Sequence, residues 1–222
     1  MAIDAISLRK LLCLLYASDR QRKGILREDI RTGIAKVSRG SGDGRDFYVP
    51  FWADVKAHIA GEGDLREATK ERARVSRQRR RLYPILADGF MKLWDEKRRW
   101  RNEPFEAIPI SVSGRISFPE IDAVVKIENV LCVKIKGEFD RVIYPYFTEA
   151  PTLSEEGARL GLWAMSKALI GHPTEELRII DVQRSASFSV RRHPLIGNEE
   201  IIFKERYARL ISQWKELKRE YE

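Results

Sequence analysis

The hydrophobic pattern changes period near Ala107, and that change restricts the fold more than any other feature. Before it, apolar residues recur at spacings of three and four. After it come short β-branched runs, Ile121 to Ile127 and Val130 to Ile135, separated by turn formers. A chain with both textures is expected to be α+β, with a helical region packed on a mixed sheet flanked by helices. Its 222 residues suffice for one large domain or two small ones and bury roughly 70% of the unfolded surface without a metal or disulfide staple. The expected division is an N-terminal helical region over 1–63 and an α/β domain over 64–222, unless the two form one continuous unit.

The elements follow from local signals. Residues 3–18 read as a helix with Ser7 as cap, Leu26 to Val37 as a second, and Ser38 to Asp46 as a loop by composition. Phe51, Trp52, Val55 and Ile59 predict a helix after Pro50. Asp64 with Glu67 resembles a capping box and opens a helix to Tyr83, with a break or kink at Pro84 and a further helix through Phe90, Leu93 and Trp94. Ile108, Ile110 and Val112 alternate as an extended segment, and Glu128-Asn129 is expected to close a tight hairpin. Arg141 to Thr148 is extended, with Pro145 at an edge or an end. Thr152 with Glu155 starts a helix, Leu177 to Val182 is a strand, and Asn198 caps a long last helix. Phe203, Tyr207, Leu210, Trp214, Leu217 and Tyr221 form its heptad seam, expected to pack on its own domain, with a homodimer as the alternative to a monomer.

Charge is distributed unevenly. The whole net charge of +8 lies in residues 1–106, and the remainder is balanced. Such asymmetry points to a polyanionic partner. Arg66, Lys70, Arg74, Arg77 and Arg81 step by four, four, three and four, which places them on one face of a continuous helix. Arginine favours phosphate because its planar fork binds bidentately. Lys97, Arg98, Arg99 and Arg101 add a second cluster, with Trp94 and Trp100 as stacking surfaces. Nucleic acid is the expected partner, with an acidic protein as the alternative.

Several classes are excluded. The apolar run Leu11 to Leu15 after Arg9 and Lys10 is too short for a signal-peptide core or a membrane span, so no membrane partner and a cytoplasmic location are expected. Cys13 and Cys132 read as buried thiols. His58, His172 and His193 lack metal-ligand spacing, and no P-loop, nucleophile elbow or dinucleotide fingerprint occurs. No cofactor is expected on this reading.

The order of elements from about Leu82 to Ser189, a helix, three extended segments, a helix and a strand, resembles the PD-(D/E)XK nuclease superfamily, particularly its RecB-like members. That resemblance implies a divalent metal, magnesium or manganese, held by an aspartate and an acid-x-lysine, with water as the nucleophile. Asp122 matches the aspartate and Lys136 the lysine, but Lys134 stands in the acid's place in Val133-Lys134-Ile135-Lys136-Gly137. In a second register Gly137-Glu138-Phe139-Asp140 resembles the family's Gly-x-x-Asp, and the next strand then offers neither acid nor lysine. Alternation puts Glu120 and Asp122 on one face of a strand, and a rescued site would add Glu138 from the paired strand to hold the metal beside Lys136. Three readings therefore stand. The first is a non-catalytic nucleic-acid binder on a degenerate nuclease-like scaffold. The second is a metal-dependent nuclease using Asp122, Glu138 and Lys136. The third is an assembly or regulatory subunit of a mobile-element or defence system that binds an acidic protein.

Overall fold

The computed structural model describes residues 3–39, 47–99, 105–107, 112–135 and 138–221. The chain opens with a short strand, β1 (Ala5–Ser7), where periodicity predicts helix. Ala5, Ile6 and Ser7 pair in parallel with Val124, Val125 and Lys126, so a sheet ladder replaces the first helical turn. Helix follows in α1 (Leu8–Tyr16), α2 (Asp19–Arg39) and α3 (Val49–Ala60). Pro50 sits in the first turn of α3, and Gly61 ends that helix in the left-handed conformation, φ 76°.

Asp64 caps α4 (Leu65–Ala73) as expected, accepting from the backbone N–H groups of Arg66 at 2.8 Å and Glu67 at 3.0 Å. The break then falls at Arg74–Ser76 rather than Pro84, and α5 (Arg77–Arg99) runs through the proline. Ser76 supplies the new start, its Oγ accepting from Arg79 N at 3.2 Å. Pro84 is exposed, while Leu82, Tyr83, Leu86 and Phe90 around it are buried and hold the helix in register. Each of those burials stabilises by roughly 1.5–3 kcal/mol, enough to offset the hydrogen bond the proline removes.

The strands are β2 (Phe105–Ala107), β3 (Gly114–Phe118), β4 (Ala123–Ile127), β5 (Leu131–Ile135), β6 (Glu138–Tyr146), β7 (Leu177–Asp181) and β8 (Ala186–Phe188). They form two mixed sheets, β1-β4-β3 and β2-β5-β6-β7-β8. The hairpin expected at Glu128-Asn129 is absent. β4 already has β1 on one edge and β3 on the other, so β5 has no edge to join and starts the second sheet. Asn129, with φ 61°, turns the chain between sheets, and its carbonyl accepts the Trp52 indole N–H at 2.6 Å. The β5 ladder along β6 ends at Ile143, so Pro145 falls where β6 has one neighbour, as its missing N–H requires. Ile108 and Ile110 lie outside the described residues.

Two helices complete the chain, α6 (Glu155–Ala168) between β6 and β7, and α7 (Glu199–Arg219). Ser154, not Thr152, caps α6 by accepting from Gly157 N at 3.0 Å. At α7 the Asn198 side chain makes no cap, and the buried Glu199 carboxylate instead accepts from Ile196 N at 2.8 Å and Gly197 N at 3.0 Å.

Alternation in the larger sheet divides the core. Cys132, Val142, Tyr144, Tyr146, Leu177 and Ile179 face a cluster shared with β1, α1, the smaller sheet, α6 and α7. Leu131, Val133, Ile143, Ile180 and Val182 face a second cluster with α3, α4 and α5. The fold is therefore α+β, with helices on both faces of the larger sheet. The α7 seam packs on its own chain, with Phe203, Tyr207, Leu210 and Leu217 buried in the first cluster. Cys13 and Cys132 are buried, and neither forms a disulfide. Among the described residues no helix is long and apolar enough to cross a membrane.

Candidate nucleic-acid interface

The basic stretch folds as a helical hairpin, α4 against α5, docked on the larger sheet through its apolar face. Between the two helices runs an open groove of about 680 Å³. Arg66, Lys70 and Arg74 rim it from α4, and Arg80 rims it from α5. Thr69, Ala73, Pro84, Ala87 and the acidic Asp88 complete its lining. Thr69 is buried, and its hydroxyl has no hydrogen-bond partner among the described residues.

The break before Ser76 changes the expected stripe. Arg66, Lys70 and Arg74 share the groove side of α4, as the spacing predicts. Helical phase restarts at Arg77, so Arg81 does not continue that row. Its guanidinium pairs bidentately with Glu149 at 2.5 and 2.6 Å. That pair raises Arg81 above its ordinary value and lowers Glu149 below the usual carboxylate range, in each case chiefly through the shared hydrogen bonds. Arg72 is likewise engaged, clamping α4 to Asp54 of α3 through both carboxylate oxygens. Arg80, outside the expected face, is the residue that sequence phase alone missed.

The cations are concentrated where two helix ends meet. Arg77, Arg79, Arg80 and Arg81 occupy the opening of α5, and its first turn has no acidic residue. Unpaired N–H groups already make that end positive, so four arginines there oppose the helix dipole. Arg74, Arg77 and Arg80 have no ion pair among the described residues. Arg66 reaches Asp88 at 3.4 Å and Lys70 reaches Glu67 at 2.7 Å, both pairs well exposed. Exposed pairs of this kind contribute little, so both cations can exchange onto phosphate. The second basic cluster lies outside what is described: Arg101 and Trp100 are not among the described residues, nor are the side chains of Lys97, Arg98 and Arg99. Trp94 is buried and stacked on Phe90 at 5.9 Å, which removes it as a surface for bases.

The residues expected for a metal site do not share a strand face. Glu120 lies in a single 3-10 turn, Pro119–Ile121, and its carboxylate is taken by Lys204 at 2.9 Å. That lysine holds the Glu120 carboxyl below its usual range. Asp122 ends the turn exposed, with φ 48°, rather than lying on a strand. It precedes β4 in the smaller sheet, whereas Glu138 opens β6 in the larger one, so the expected pairing of their strands is not made. Lys136 and the Glu138 side chain lie outside the described residues. Among the described residues no three His, Cys, Asp or Glu side chains are grouped to hold a metal ion. Lys134 is exposed on β5 with Asp140 as its register partner.

The strand-end residues Asp181, Gln183 and Arg184 serve the fold. Gln183 Nε2 donates to the Phe147 carbonyl at 2.7 Å, and Arg184 donates to the carbonyls of Thr148 and Glu149. They fix the segment that presents Glu149 to Arg81. No protein-family model matches the chain, and no curated protein is detectably similar to it.

Proposed function

We propose that the protein binds nucleic acid through the α4–α5 hairpin, with Arg66, Lys70, Arg74, Arg77 and Arg80 on backbone phosphates. The observation that carries this reading is the arginine-crowded opening of α5, whose own first turn holds no acid, beside a groove rimmed by Arg66, Lys70, Arg74 and Arg80. A row of phosphates relieves both the cation repulsion and the unfavourable helix dipole. Holding rather than cutting is favoured, because Glu120 is paired and Asp122 stands off the strands.

Five phosphate contacts give a slope of log affinity against log salt of about −3.5 to −4.5. In fluorescence anisotropy at low salt, the double variant Arg74→Ala/Arg80→Ala should bind at least ~10-fold more weakly and lose roughly 1.5 of that slope. Arg81→Ala, which removes a residue already paired to Glu149, should change affinity far less. Unaltered binding by the double variant would sink the proposal.

A further inference from the structure

A second basic site lies beyond the hairpin, in a cavity of about 210 Å³ where β1, β4, β6 and the start of α3 converge. Arg9, Tyr48, Trp52, Lys126, Glu128 and Tyr144 line it. The Arg9 guanidinium lies 4.9 Å from the Tyr48 ring centre and 5.5 Å from that of Phe147, and Tyr48 stacks on Phe147 at 4.8 Å. The Tyr144 hydroxyl accepts the Arg9 backbone N–H at 2.9 Å, which fixes the base of that side chain. Lys126 is half-buried and has no ion pair among the described residues.

A chain of aromatic contacts joins this cavity to the opening of α5. Arg79 lies 5.7 Å over Tyr83, Tyr83 meets Phe47 edge-on at 5.3 Å, and Phe47 meets Tyr48 edge-on at 5.0 Å. Tyr83 also donates its hydroxyl to the Phe47 carbonyl at 2.7 Å. Tyr83 is buried, so of these rings Phe47 and Tyr48 reach the surface, between the arginines at the opening of α5 and the cations of the cavity. Cations that track a backbone, interleaved with rings, suit an unpaired strand, because every base has a face to stack. A duplex keeps its bases inside its own stack and would have to unpair and extrude one to fill the cavity, a cost that a single strand does not bear.

We propose that the cavity takes one unpaired nucleotide of a single strand whose neighbouring phosphates lie on the α4–α5 hairpin. The proposal rests on the nucleic-acid reading of that hairpin. Arg9 and Lys126 meet the phosphate, the Tyr48 ring meets the base, and Glu128 accepts from a base amino group or a sugar hydroxyl. A bare phosphate would leave the ring and the carboxylate unused.

The test compares a labelled single-stranded oligonucleotide with a blunt duplex of the same sequence by anisotropy at low salt. The wild-type protein should prefer the single strand by at least about 5-fold, the lower end of one base–ring stack. Lys126→Glu should abolish that preference and leave duplex binding intact, whereas Arg74→Ala/Arg80→Ala should weaken both. Equal wild-type affinity for the two, or a full preference retained in Lys126→Glu, overturns the cavity proposal alone. Binding of neither substrate, or groove variants as tight as wild type, overturns the hairpin reading beneath it. Should Lys126→Glu melt early, competition on wild-type protein decides. A nucleoside 5′-monophosphate is expected to displace the single strand and spare the duplex, and one that displaces neither overturns the proposal.

Discussion

Asp181 ends β7 with its side chain 2% exposed, and its carboxylate organises the turn that follows. It accepts from Arg184 N at 3.3 Å and from the Arg184 guanidinium at 3.3 and 3.4 Å, and Leu153 N points to it at 3.5 Å. Burial raises the carboxyl above its ordinary value, and Arg184 pulls it partly back. A folded pKa above the unfolded one means the native state binds this proton more tightly. Its contribution is therefore full below the ordinary aspartate pKa, about 3.9, and is lost as pH rises through the folded value. Asp181→Asn cannot titrate. The stability of wild type relative to this variant, measured by urea denaturation, should fall as pH rises from about 3.9 through that window. A constant difference would contradict the raised value.

Among elements, the seat of α5 is set by one small residue. A side chain at Gly89 would collide with the Val182 carbonyl oxygen, backbone that cannot swing aside. Ser185 Oγ donates to the Gly89 carbonyl at 2.9 Å from the same turn. Gly89→Ala should therefore lift α5 from the β7–β8 turn and cost roughly 1–3 kcal/mol by denaturant melt, although alanine is the better helix former. A stabilised variant would show that α5 is not held there. The glycine is visible in the sequence, but inside a helical pattern it carries no mark of what it faces. Gly161 does carry a mark, since its spacing of four from Gly157 on α6 implies close packing, and Ile179 of β7 fills that position.

For the whole molecule, the larger sheet joins two cores that share strands but few side chains. Ile179 points into the cluster under α6 and α7, and Ile180 into the cluster under α3 to α5. The N-terminal strand belongs to the first cluster too, where Tyr207 Oη donates to the Ile3 carbonyl at 2.7 Å. Because β7 serves both layers, Ile179→Ala and Ile180→Ala should each cost about 3 kcal/mol and lower one common thermal transition. The two faces separate by probe, with Trp163 fluorescence near one and Trp52 near the other. An early transition confined to one tryptophan would mean that the layers unfold independently.

The sequence by itself determined the fold class, the cap at Asp64, the self-packing seam of α7 and the cationic side of α4. Each depends on residues a turn or two apart, where periodicity and side-chain capping act directly. It misplaced the helix break, because Pro84 is locally unfavourable and only the buried residues around it keep α5 continuous. It also paired β4 with β5, because sequence adjacency does not reveal that β1 and β3 already occupy both edges of β4. Those two long-range facts changed the site most. The first removed Arg81 from the basic face and gave it Arg80. The second kept Asp122 and Glu138 in separate sheets. Which charges are near in space depends on strand pairing and core contacts across the chain, and these only the tertiary structure decided.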